Sequence, residues 1–181
     1  MSGIRDWLSN RRATRGLNRR WKAHVNAVRA ARRHFENARS GTDGFDDLAE
    51  RMARTVEAAA DVARRAQQAQ AELRRLPTVS KLDYELENLR HRGLTDDDPQ
   101  VKAISYQRQV GERLRHTVAE AEELLEQVRT DLDLSLARVV EARTAAPGDL
   151  AWDQVSEALN KSLTDLDAMQ KAWQELNSGG G

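Results

Sequence analysis

The chain has 181 residues, 29 of them basic and 29 acidic, and 26 Ala make up a large part of the 39% that is hydrophobic. So few large apolar groups build only a narrow core, and 32% charged residues with 4% aromatics and 3 Pro exclude the β-branched, turn-rich character of a sandwich or barrel. The absence of Cys removes disulfide frameworks, thiol nucleophiles and thiolate zinc sites, while sustained heptad patterning excludes simple disorder.

Punctuation by SGTDG at 40–44, Pro77 with Thr78, RGLTDDDP at 92–99, Pro147-Gly148 and the terminal SGGG leaves five predicted helices, near 3–39, 45–76, 80–92, 98–146 and 149–177. The first places Trp7, Thr14, Trp21, Val28 and Phe35 seven apart, flanked by Leu17, His24, Ala31 and Ala38. It is also strongly basic. Residues 1–40 hold 11 basic residues against Asp6 and Glu36, a net +9, and the remaining 18 basic and 27 acidic residues sum to −9. The chain is therefore an electric dipole in sequence.

In the second helix one row reads Phe45, Met52, Ala59, Ala66, Leu73 and the other Leu48, Thr55, Val62, Ala69, Leu76. Its Ala-lined middle permits close helix approach but buries little area per residue. The short third helix contributes Leu82, Leu86 and Leu89 as an elbow, and Ser80 with Asp83 reads as a capping box at its start. Asp98 before Pro99 predicts the start of the fourth helix, and Asp149 that of the fifth. The Asp96, Asp97, Asp98 trio reads as helix-start chemistry rather than a cation site, since adjacent carboxylates lack the further oxygen ligands such a site needs.

The fourth helix has the longest seam: Ile104, Gly111, Val118, Leu125, Leu132, Val139, Ala146, with Gln107, Leu114, Ala121, Val128, Ser135, Ala142 three residues on. Trp152, Leu159, Leu166 and Trp173 mark the fifth, beside Val155, Ser162, Met169 and Leu176, with Leu163 widening the stripe. The fold expected is all-α, an elongated antiparallel helical bundle or coiled-coil hairpin with one long helix near 98–146. Its organisation is a basic amphipathic helix over 1–40, a helical bundle or coiled coil over 41–178, and a Gly tail at 179–181.

Catalytic chemistry finds no footing in this pattern. His24, His34, His91 and His116 make no HExxH pair, no Glu-x-x-His di-metal motif occurs, and neither a Gly-rich phosphate loop nor a GxSxG elbow is present. Glu120, Glu122, Glu123 and Glu126 lie largely off the seam rows and read as a solvated face. No enzyme, cofactor, metal or small-molecule substrate is inferred. Without a long apolar run or a secretory h-region, the expected location is the cytoplasm, with peripheral membrane attachment as the variant the basic helix suggests.

Two uses of the basic helix compete. It packs against acidic faces of the later helices, within the molecule or in a neighbouring copy, and orients assembly. Alternatively, Trp7, Arg11, Arg12, Arg15, Arg19, Arg20 and Trp21 form the contact with a partner or an anionic membrane surface. Non-specific nucleic-acid binding is a weaker third reading, because the −9 remainder repels a duplex. The basic first helix, acidic later helices and long hairpin resemble, in layout rather than in motif, the phage-shock and ESCRT-III-like membrane-remodelling proteins. That resemblance implies membrane remodelling; the residues by themselves favour a scaffold or adaptor that works through helical seams, by self-assembly or with a protein partner.

Overall fold

The computed structural model describes residues 14–38, 45–145 and 150–178. They form α1 (Arg19–Ala38), α2 (Phe45–Leu73), α3 (Val79–His91), α4 (Pro99–Ala145) and α5 (Leu150–Ser178). No strand occurs among the described residues. Two compact units result: one holds the residues up to Arg65 with those from Ala121 onward, the other Ala66–Glu120.

The first unit buries one stripe from each of four helices. Trp21, Val25, Val28 and Ala31 of α1 are buried, as are Leu48, Met52, Val56 and Val62 of α2, Leu125, Val128 and Leu132 of α4, and Val155, Leu159, Leu166 and Trp173 of α5. Nearly all are the seam residues expected from the heptads. The Ala-lined middle of α2 is interior too, since Ala59, Ala60 and Ala63 have no exposed surface. Polar seam positions are settled locally: Thr55 Oγ1 donates to the Arg51 carbonyl at 2.9 Å and Ser135 Oγ to that of Asp131 at 2.7 Å. Ser162 Oγ, by contrast, is buried without a hydrogen-bond partner.

Helix direction in this unit differs from a purely antiparallel arrangement. Arg51 Nη1 donates to Ser156 Oγ at 2.7 Å and to Asn160 Oδ1 at 3.0 Å, and Arg65 Nη1 donates to the Gln170 carbonyl at 3.1 Å. Advancing along α2 thus advances the partner along α5, so these neighbours run parallel. The pairs of α1 with α4 step in the same sense, Arg20 meeting Glu122 and His24 meeting Glu122 and Glu126. Parallel neighbours need a long crossover between them, and here more than a hundred residues intervene in each case. Local loop length, the basis of the antiparallel expectation, does not register such lateral contacts.

In the second unit α3 and the start of α4 form the antiparallel hairpin that a short link predicts. Leu86, Leu89 and Val101 are buried together, with Leu94 and Ile104 packed against them, and Arg108 Nε donates to Asp83 Oδ1 at 2.5 Å. Gly93, at φ +83°, closes α3: its N–H donates to the Arg90 carbonyl at 2.9 Å and Leu94 N–H to that of Leu89 at 3.1 Å. This is the Schellman arrangement, with Leu94 against Leu89 as its apolar contact.

Several boundaries correct the sequence reading. The single helix expected over 3–39 is interrupted at Gly16, whose φ of +83° suits glycine and not a helix interior. Beyond it Asn18 restarts the helix, its carbonyl accepting from Lys22 N–H at 2.9 Å and its Oδ1 from Trp21 N–H at 3.2 Å. The cap of α3 is Thr78, which accepts from Lys81 N–H, rather than Ser80. Gln107 is exposed while Val101 is buried, so the first turns of α4 face the hairpin in a different register from the rest. Asp149, Trp152, Val139, Ala142 and Ala146 carry expectations that lie outside the described residues or side chains.

Candidate interaction site

Between Trp7 and Phe35 the sequence contains no Asp or Glu. For the cations from Arg19 to Arg29, two turns or more before Glu36, compensation must therefore come from another element. The helix divides its cations between two faces, and the division follows from its 3.6-residue period.

One flank is turned to α4. Arg20 Nε donates to Glu122 Oε1 at 2.5 Å and Arg20 Nη2 to Glu122 Oε2, a bidentate pair in which the planar guanidinium matches the carboxylate fork. His24 Nε2 lies 3.6 Å from Glu122 Oε1 and His24 Nδ1 3.8 Å from Glu126 Oε2. Glu126 also accepts from Arg129 Nη1 at 3.1 Å. The two imidazole nitrogens thus face separate carboxylates and do not converge on one point. Among the described residues no group of three or more His, Asp or Glu is placed to hold a metal ion.

Trp21 stands at the base of this flank with no exposed surface. The Arg20 guanidinium carbon lies 5.8 Å from its ring centroid and the His24 ring 6.0 Å away. Its indole is core, held beneath the ion pairs, and presents no surface to lipid or to a partner. Arg29 is likewise largely buried at 7% exposure, with Nη1 donating to Asn26 Oδ1 at 3.3 Å. Burial lowers its guanidinium pKa from the ordinary value, and Arg33 and Arg32 add to the effect.

The opposite face of α1 is left positive. Arg19, Lys22, Asn26, Ala30 and Arg33 follow steps of three and four, and all are exposed; the stripe runs about 21 Å along the helix. Arg15, just before the helix, is exposed as well. Among the described residues, Arg15, Arg19, Lys22 and Arg33 have no carboxylate partner. Several exposed cations elsewhere meet acids on their own helix, as Arg54 meets Glu50, Arg64 meets Asp61, Arg75 meets Glu72 and Arg129 meets Glu126.

Of the seven residues singled out from sequence, Trp7, Arg11 and Arg12 lie outside the described residues. Arg15 and Arg19 are exposed, Arg20 is engaged with Glu122, and Trp21 is interior. Lys22 and Arg33 join the exposed set and were legible only as part of a general basic run. Glu122, read as a member of a solvated face, is the acceptor that ties α4 to α1. Its side chain is 29% exposed, as befits the edge of a seam.

The acidic trio after α3 is fully occupied with local structure. Asp96 accepts from Arg90 Nη2 at 3.0 Å, Asp97 from Lys102 Nζ at 3.0 Å, and Asp98 Oδ2 from Thr95 N–H at 2.8 Å. An open groove between α4 and α5 is lined by Asp131, Gln154, Glu157, Ala158 and Lys161. No helix among the described residues is long and apolar enough to cross a membrane. No protein-family model matches the chain, and neither a curated protein nor a solved structure matches it.

Proposed function

We propose that the chain is a non-enzymatic helical scaffold or adaptor that works by association through its helix surfaces. The observation that supports this reading is the division of α1, whose Arg20 and His24 hold α4 inside the molecule while Arg19, Lys22 and Arg33 remain displayed on the outside. A fold that spends its apolar groups on helix packing and leaves an uncompensated charged face suits a protein whose work is binding. Light scattering coupled to size exclusion, run over a roughly hundredfold concentration range, tests it through mass action. Oligomers whose proportion rises with concentration are expected. A strictly monomeric chain at every concentration and at low salt removes self-assembly from the reading.

A second reading, peripheral attachment to an anionic membrane, draws support from the same exposed Arg15, Arg19 and Lys22. Burial of Trp21 takes one of its two tryptophan anchors away and leaves this reading more dependent on charge. Co-sedimentation with phosphatidylserine vesicles, compared with neutral phosphatidylcholine vesicles, tests it.

A further inference from the structure

We infer that the outward stripe of α1, Arg19, Lys22 and Arg33, docks on carboxylates of a second copy of the same chain, those that α4 and α5 display at Glu123, Asp131 and Glu157. The inference deepens the self-assembly reading and rests on it.

Charge complementarity within one sequence carries the argument. The acid-free stretch that supplies α1 has a mirror image in α4, where Glu120, Glu122, Glu123, Glu126, Asp131 and Asp133 are accompanied by Arg129 alone. Inside one molecule these two stretches already recognise each other, since Arg20 grips Glu122 with both guanidinium donors. That contact uses one flank of each helix. What remains on α1 is the stripe, which has no carboxylate partner among the described residues. What remains on the other side is Glu123 and Glu157, both exposed and without a cation partner among the described residues, and Asp131, whose Oδ1 accepts only the neutral amide of Gln127, at 2.8 Å.

Asp131 and Glu157 line the same α4–α5 groove, together with Lys161. Two carboxylates across an open groove suit a guanidinium, which can donate to both, better than they suit a compact ammonium. Up to Arg33 the stripe has no acid of its own sequence to pair with, because none occurs between Trp7 and Phe35. A molecule with formal net charge zero also carries no overall repulsion to hold its copies apart. The surplus of one copy therefore meets the deficit of the next, in a contact that salt weakens.

Sedimentation velocity on the full chain at low and high NaCl is the test, with three variants. The stripe variant carries Arg19→Glu, Lys22→Glu and Arg33→Glu. The groove variant carries Glu123→Arg, Asp131→Arg and Glu157→Arg. A decoy carries Arg74→Glu, Arg92→Glu and Arg113→Glu, which changes net charge as the stripe variant does but at exposed positions elsewhere.

The wild type is expected to associate at low salt and to dissociate as salt rises. The stripe and groove variants each lose self-association by about tenfold or more, and mixing the two restores it, whereas the decoy, whose stripe and carboxylates are both intact, keeps its self-association despite the same change in net charge. Circular dichroism confirms that helix content is kept. A stripe variant that associates as well as the wild type overturns this inference and leaves the scaffold reading standing. A wild type that is monomeric at low salt overturns this inference and removes self-assembly from the scaffold reading as well. If the monomer binds phosphatidylserine vesicles through Arg19, Lys22 and Arg33, the stripe's occupant is a membrane and the inference also falls.

Discussion

Replacing Trp21 by Ala separates a core role from a surface role for the residue on which the two readings of the basic helix part. Its side chain has no exposed surface, so truncation removes the whole indole from a packed interior and leaves a cavity. Large aromatic truncations of this kind cost about 3–5 kcal/mol. For a chain of this size each kcal/mol moves the melting temperature by about 2–4 °C, so a fall of about 6–20 °C is expected. The loss also loosens the base on which Arg20 and His24 stand, within 5.8 Å and 6.0 Å of the ring. Thermal melting followed by circular dichroism measures the effect, and Trp21→Phe, which keeps most of the volume, should recover a large part of it. A Trp21→Ala protein with unchanged melting temperature and diminished binding to anionic vesicles would refute the packing argument and return the indole to the surface.

Further expectations follow from the same contacts. A double-mutant cycle on Arg20→Ala and Glu122→Ala should give a coupling of about 0.5–1 kcal/mol, since the side chains are 52% and 29% exposed and solvent screens such pairs; zero coupling at low salt would show that α1 is not held to α4 there. Leu125→Asp places an unpaired carboxylate where there is no exposed surface and should cost several kcal/mol, whereas Glu123→Gln on the exposed side should leave the melting temperature within about 1–2 °C; similar melts for both would refute the α4 seam. At the start of α3, Thr78→Ala should lose about 0.5–1 kcal/mol, the low end for a cap because its bond to Lys81 N–H is long at 3.4 Å, and Ser80→Ala should lose almost nothing, as chemical denaturation would measure.

Seven-residue spacing made most of the core legible before any coordinates. Trp21, Val28, Met52, Ala59, Leu125, Leu132, Leu159 and Leu166 all fall on rows read from the sequence and all are buried, because helix periodicity is a local property that each segment states for itself. The misses share another physics. Thr78 outcompetes Ser80 as a cap, and Gly16 halts a helix whose apolar rows continue through it; both are decided by one backbone angle or one hydrogen bond that periodicity does not weigh.

Pairing between helices is non-local, and the candidate site depends on it entirely. Nothing in the spacing of Glu120, Glu122, Glu123 and Glu126 marks Glu122 as the acid that receives Arg20, since that choice is made by the parallel course of α1 beside α4 across 102 positions of sequence. Yet the charge segregation that drives the choice is plain in the chain, an acid-free stretch and an acid-rich one. The sequence thus states which charges need partners. Only the packed helices say which of them are already met inside the molecule and which are left to meet another.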